Sequence, residues 1–142
     1  MAKIIVTGHG HFATGLKSTV ELLAGPQKNI RFVDFSADMD DVLLHATLQK
    51  ALTPNEPTVF FCDLLGGTPF KQAVTLSTEA DQPIEVVAGA NVASLLEVAF
   101  SLDGTSDVDA LADQLVSASQ QALTHFKLKK PQTEPDEDED GI

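Results

Sequence analysis

The chain has 142 residues, a net charge of −12 and 43% hydrophobic residues, a composition typical of one globular domain with a two- or three-layer core. Its single cysteine, Cys62, excludes an internal disulfide and indicates a reducing compartment. No leader opens the sequence, no apolar run approaches the roughly 20 residues that span a bilayer, and no basic stripe indicates a nucleic-acid partner, so we expect a cytoplasmic protein.

Apolar, strand-like runs alternate with amphipathic stretches of helical spacing. In chain order they are a strand at 3–7, a helix from Ala13 that Gly25-Pro26 stops, a strand at 30–35, a helix at 40–52, a strand at 58–63, a helix with Thr68 as N-cap and Pro69 as first residue, a strand at 84–88, a helix at 93–100, and a helix from Asp107 whose apolar stripe reaches Phe126.

This alternation predicts a three-layer α/β/α fold whose sheet is mostly parallel, with right-handed crossovers. The first and third runs are the most continuously apolar, which favours central strands, whereas Arg31 and Asp34 interrupt the second and favour an edge. The strand order 2-1-3-4 satisfies both preferences. Ligands of such sheets bind where the strand order reverses, here between the carboxyl ends of strands 1 and 3.

The composition changes after Lys130. Residues 131–142 contain six carboxylates, half of the net negative charge, and Ile142 is their one large aliphatic residue. Such a segment buries too little apolar surface to offset the entropy of ordering it. We therefore predict a domain at 1–130 and a disordered acidic tail at 131–142. Solvated surface charge is the simplest interpretation of the acidity, and attraction to a basic partner is the alternative.

Two residues at the predicted switch point indicate nucleophilic chemistry. His9 follows strand 1 between two glycines, which let the backbone bend and leave room beside the ring. A neutral imidazole nitrogen can attack phosphorus. Asp63 ends strand 3, where its carboxylate can fix the tautomer of His9 and stabilise the developing positive charge. A role-free loop histidine and a turn-capping aspartate are the alternative interpretation.

The stretch Gly66-Gly67-Thr68-Pro69 leads into a helix N-terminus, where free backbone N–H groups and the positive end of the dipole favour a phosphate. The Thr68 hydroxyl can donate as well. We assign Gly10, Gly66, Gly67 and Thr68 to phosphate binding. An ordinary, well-capped strand-to-helix turn remains the alternative.

The other histidines carry weaker signals. His9, His11 and Asp63 could form a zinc site, but no additional ligand stands at a recognisable spacing, and we predict no metal and no cofactor. His45 and His125 lie in predicted helices without a chemical partner in the sequence, so we expect surface or boundary residues.

Three segments match motifs of a known family. They are His9-Gly10 followed by Ala13-Thr14-Gly15-Leu16, then Asp63-Leu64-Leu65-Gly66-Gly67-Thr68-Pro69-Phe70, and Gly89-Ala90-Asn91 before a leucine-rich helix. In order and spacing they resemble the enzyme IIA domains of the mannose/fructose/sorbose family of the sugar phosphotransferase system (PTS). The match covers about residues 2–126.

The resemblance implies a phosphotransferase and specific partners. His9 would take a phosphoryl group from phosphorylated HPr and pass it to the sugar-specific IIB component, with the membrane components IIC and IID served indirectly. Asp63 would orient His9, and Thr68 with its neighbouring backbone would hold the phosphate. Family members are homodimers that exchange a strand near the C-terminal part, for which this sequence shows no clear candidate.

The chain departs from the family pattern beside the partner-facing surface. Ala93-Ser94 stands where Pro-Met is frequent, Lys71 stands where Asn is common, and tryptophan is absent. These changes leave the IIB partner and the sugar open.

Three other functions fit less well. A phosphocarrier subunit of a dihydroxyacetone kinase system would share the fold and the histidine chemistry. A regulatory binding module that has lost phosphotransfer would not need the His9–Asp63 pair together with the glycine-rich turn. A metal-dependent hydrolase is the third alternative.

Overall fold

A computed structural model describes residues 1–102 and 104–129; the predicted tail at 131–142 lies outside the described residues. Four strands and five helices alternate as predicted. They are β1 Lys3–His9, α1 Phe12–Ala24, β2 Ile30–Phe35, α2 Asp41–Ala51, β3 Thr58–Cys62, α3 Thr68–Glu79, β4 Ile84–Ala88, α4 Val92–Ala99 and α5 Val108–Ala122. All strand pairs are parallel, and the order β2-β1-β3-β4 confirms the predicted topology.

Helices cover both faces of the sheet, which explains why the central strands are continuously apolar. Side chains alternate along β1, so Ile4 and Val6 pack against α1, α4 and α5, while Ile5 faces α2 and α3. By the same alternation Thr7 and His9 share the face of Ile5. His9 therefore projects on the side of the sheet that carries α3.

β1 is two residues longer than its sequence predicts. Gly8 and His9 pair with Asp34 and Phe35 of β2, so His9 is the last residue of a strand and not a loop residue. Glycine is a weak strand former, which hid this extension from the sequence. The nucleophile candidate is consequently held by the sheet itself.

Two helix ends also differ from the sequence predictions. Gly67, with an extended backbone, is the N-cap of α3, and Thr68 is its first helical residue, so Thr68 does not cap the helix. α5 ends at Ala122, and Phe126 beyond it is 65% exposed. The spacing of Leu115, Ala118, Ala122 and Phe126 matches a helical stripe, but Phe126 lies beyond the helix and is mostly exposed. In the described part of the chain, none of the helices has the length and apolarity to cross a membrane.

Candidate functional site

His9 and Asp63 come together at the carboxyl ends of β1 and β3. These strands are adjacent and parallel, and the backbone N–H of Asp63 continues their pairing by donating to the carbonyl of Thr7 at 3.2 Å. Asp63 Oδ2 accepts a hydrogen bond from the His9 backbone N–H at 2.9 Å and lies 2.8 Å from His9 Nδ1. One carboxylate oxygen thus fixes both the backbone and the ring of His9.

The environment of Asp63 determines which nitrogen of His9 is free. Burial raises the pKa of Asp63, but the hydrogen bonds from His9, the charge of its ring and the hydrogen bond from the Leu64 N–H outweigh it, and the pKa lies below its usual value. An ionised carboxylate only accepts, so His9 Nδ1 must carry the proton of that bond. In the neutral imidazole the lone pair is then on Nε2, on a ring that is 44% exposed.

Close packing holds the His9 ring on three sides. A Cβ at Gly8 would lie 2.8 Å from Asp63 Cγ and 2.6 Å from a ring carbon of Phe12, so only glycine lets the carboxylate approach β1. The ring of Phe35 meets the imidazole edge to face, with centroids 5.7 Å apart. On the third side a Cβ at Gly67 would lie 2.8 Å from His9 Cε1 and 3.5 Å from Nε2. The lone pair of Nε2 therefore lies beside the N-terminus of α3.

The N-terminus of α3 offers donors that the described residues leave unused. The Gly67 carbonyl accepts the first helical bond, from the Lys71 N–H at 2.9 Å. Between residues 1 and 129, position 103 aside, no acceptor meets the N–H groups of Gly66, Gly67, Thr68 or Phe70, nor the Thr68 hydroxyl. Gly66 adopts a left-handed conformation with φ 84°, which glycine tolerates without strain. Such a turn can surround an anion with backbone donors.

Gly10 lies beside His9, but its N–H is already used. It donates to the Phe35 carbonyl at 2.8 Å, while φ of +60° and the open space on its Cβ side keep the adjoining volume free. Of the four residues assigned to phosphate binding, Gly66, Gly67 and Thr68 form one turn, and Gly10 stands across the ring without a free donor.

His11 does not join His9 and Asp63. Its ring is 93% exposed, and Nδ1 lies 3.4 Å from Asp34 Oδ2. The described residues contain no group of three or more His, Cys, Asp or Glu side chains placed to hold a metal. Gly8, Asp34 and Phe35 are site residues that sequence reasoning missed. The only sequence signal for Asp34 is a carboxylate near the end of a mostly apolar strand.

Two other titratable groups make no contact with the His9 ring. His45 Nε2 pairs with Glu79 Oε1 at 3.0 Å, which joins α2 to α3. Burial and then the charge of Asp63 raise the pKa of the Cys62 thiol to about 12, so the cysteine beside Asp63 stays protonated and inert as a nucleophile at neutral pH.

Comparison with known proteins identifies the family of this chain. The family profile described as "PTS system fructose IIA component" matches residues 3–116. The chain belongs to this family. The fructose-specific EIIA component of the PTS from Bacillus subtilis is 33% identical over 126 residues, covering 87% of this chain and 85% of that protein. Phosphotransfer is the general role of such PTS components.

Two further relatives mark the extent of the likeness. The mannose-specific EIIAB component of Escherichia coli K12 is 29% identical over 89% of this chain, which spans 40% of the length of that protein. The crystal structure of a PTS component EIIA from Streptococcus agalactiae superposes with a TM-score of 0.84 at 35% identity, covering 89% of this chain and 98% of that one. The likeness thus extends over nearly the whole of the EIIA structure but over less than half of the EIIAB protein.

Proposed function

We propose that this EIIA component is a phosphohistidine carrier, which accepts a phosphoryl group from phosphorylated HPr on His9 and transfers it to a IIB component. The observation that carries the proposal is the 2.8 Å contact of His9 Nδ1 with Asp63, together with the position of Nε2 beside Gly67. The contact leaves Nε2 as the nucleophile and sets it beside a turn rich in free donors.

The chemistry follows from these positions. The lone pair of His9 Nε2 attacks the phosphorus of the phosphohistidine of HPr, the new N–P bond forms, and the N–P bond of the donor breaks with its electron pair returning to the donor imidazole. The proton on His9 Nδ1 stays in its hydrogen bond, where ionised Asp63 stabilises the positive charge that the ring acquires. Transfer to the IIB component reverses these steps on the His9 side.

The phosphoryl group would be held by α3. The N–H groups of Gly66, Gly67 and Thr68 and the Thr68 hydroxyl supply donors, and the helix dipole adds positive potential. Gly10, whose N–H is occupied by Phe35, would contribute open space beside the ring and no donor. Because these backbone donors are already in place, they can stabilise the charge of the phosphoryl group during transfer in either direction.

A direct test uses purified components. The protein is incubated with enzyme I, HPr and phosphoenolpyruvate at neutral pH, and its intact mass is measured with each component omitted in turn. We expect a mass increase of one phosphoryl group that requires all three additions. The increase should be lost when the phosphorylated protein, purified away from enzyme I, HPr and phosphoenolpyruvate, is mixed with an excess of a IIB component. An unchanged mass in the complete mixture would contradict the proposal.

We further propose that the chain works as a homodimer. After α5, Leu123, Phe126 and Leu128 are 87%, 65% and 81% exposed, and the last two alternate with lysines in the manner of a strand. β4 ends the sheet, and along it lies a groove of about 500 Å³ whose apolar lining includes Leu65 and Val116. The segment 123–129 of a second copy is the occupant that fits this groove.

Sedimentation tests the dimer. The parent should sediment as a dimer, and replacing both Phe126 and Leu128 with Asp should give a monomer. Leu22→Asp is the matched control, because Leu22 is 85% exposed, close to the 81% of Leu128, but lies on α1. A monomeric parent would refute the dimer, and a double variant that stays dimeric would refute the placement of segment 123–129 in the groove.

A further inference from the structure

The segment around His9 is bonded to the end of β2, a strand that lies next to β1 on the side away from β3. Gly8 and His9 stand in register with Asp34 and Phe35. The Phe35 carbonyl accepts the N–H of Gly10 at 2.8 Å, directly after His9. Beyond this point only Gly10 and His11 separate β1 from α1, so the position of α1 and the position of His9 are closely linked.

The first turn of α1 is capped by a residue of another element. His11 occupies the N-cap position, but its side chain makes no capping hydrogen bond. Asp34 does so instead: Oδ1 accepts from the Thr14 N–H at 2.9 Å, and Oδ2 accepts from the Thr14 hydroxyl at 2.7 Å. The carboxylate thus satisfies a backbone donor that would otherwise lack a partner at the start of the helix.

Asp34 is ionised in this position. Burial raises its pKa, but the two hydrogen bonds from Thr14, followed by the contact with His11, outweigh burial and lower the pKa below its usual value. An ionised carboxylate accepts from both Thr14 groups at once. The contact with His11 Nδ1 is longer, at 3.4 Å, and the His11 ring is 93% exposed, so Thr14 is the main partner.

From this geometry we propose that Asp34 is a positioning residue for phosphoryl transfer, which fixes the first turn of α1 to β2 and thereby holds His9 in its place opposite α3. The inference rests on the proposed function of His9. Glycine allows many backbone conformations, so Gly10 alone does not fix the course of the chain from His9 to α1. The hydrogen bonds to Phe35 and Asp34 of β2 fix it instead.

In-line transfer is sensitive to a displacement of the His9 ring, because a misplacement of about 1 Å can cost about 100-fold in rate. We expect Asp34→Ala, which removes the cap, to slow transfer from phosphorylated HPr about tenfold. Asp34→Asn should stay within about twofold of the parent, because Asn is as good an N-cap as Asp: its carbonyl accepts from the Thr14 N–H and its amide donates to the hydroxyl.

A matched control separates positioning from simple loss of a cap. Asp107 caps α5 by accepting from the Ala110 N–H at 3.0 Å. Asp107 lies far from His9. Two residues before it, the Thr105 carbonyl accepts the N–H of Ala2, which lies at the opposite end of β1 from His9. Asp107→Ala should therefore lower the melting temperature about as much as Asp34→Ala while leaving the transfer rate unchanged.

The experiment is single-turnover phosphorylation of the parent, Asp34→Ala, Asp34→Asn and Asp107→Ala, at a temperature where circular dichroism shows all four folded. A slow Ala variant with a rescued Asn variant supports the inference. Equal rates for Asp34→Ala and the parent would overturn it, and so would an Asn variant as slow as the Ala variant, which would assign the effect to charge. A parent that is not phosphorylated would refute the proposed function instead.

Discussion

The turns that follow β1 and β3 face each other across the site, and their helices begin differently. At α1 the carboxylate of Asp34 accepts from the Thr14 N–H and places a negative charge at this N-terminus. At α3 the described residues place no carboxylate on Gly67 or Thr68. A helix N-terminus favours anions in general, but only the one that no carboxylate occupies can serve a phosphoryl group.

The two turns also divide the chemistry. The first carries His9, the proposed nucleophile, and the second carries both the carboxylate bonded to its ring and the donors beside Nε2. Because each half is incomplete without the other, the pairing of β1 with β3 is what assembles the site.

The largest expected effect concerns the nucleophile of the first turn. His9→Gln should abolish phosphorylation by phosphorylated HPr, because a glutamine amide offers no nucleophilic nitrogen in place of Nε2. His11→Gln is the matched control and should remain active, since its ring points away toward Asp34. Intact-mass analysis of both variants decides the matter, and an inactive His11 variant beside an active His9 variant would reverse the assignment.

The next effect concerns the carboxylate of the second turn. Asp63→Asn keeps the shape but removes the charge that stabilises the developing cation, so transfer should slow by about 10- to 1,000-fold. Rapid mixing with phosphorylated HPr measures the rate. Equal rates for variant and parent would remove Asp63 from the mechanism.

A smaller effect should follow from adding one methyl group at α3. In Gly67→Ala the new Cβ would lie 2.8 Å from His9 Cε1, so the ring must shift, and we expect transfer to slow about tenfold. Gly15→Ala is the control in α1, where a Cβ meets nothing within 4 Å and should stabilise the helix. If both variants transfer at the parental rate, the ring does not depend on the α3 turn.

The smallest effect is a dependence of stability on pH. The folded-state pKa of Asp63 is lowered, so its contribution to stability is present above the unfolded pKa of about 4 and is lost as pH falls through the folded value. Chemical denaturation should show the parent approaching Asp63→Asn in stability as the pH drops below about 4. A difference between the two proteins that is the same at pH 7 and pH 3 would contradict this linkage.

The fold could be predicted because alternating apolar runs and amphipathic stretches specify parallel strands and crossover helices. The meeting of His9 and Asp63 could be predicted as well, because the ends of adjacent parallel strands share one edge. The capping of α1 by Asp34 could not, because it joins residues 20 apart in sequence through a side chain that periodicity does not describe. The end of α5 could not be predicted, because Phe126 continues the helical spacing although it lies beyond the helix and is exposed.

The central claim is that the phosphoryl group on His9 is held by α3 and not by α1. The most direct measurement compares backbone amide NMR shifts of the protein before and after phosphorylation by HPr. We expect large shifts for the amides of Gly66, Gly67 and Thr68 and small ones for Thr14, whose N–H remains bonded to Asp34. Large shifts at Thr14 with Gly66, Gly67 and Thr68 unmoved would contradict it.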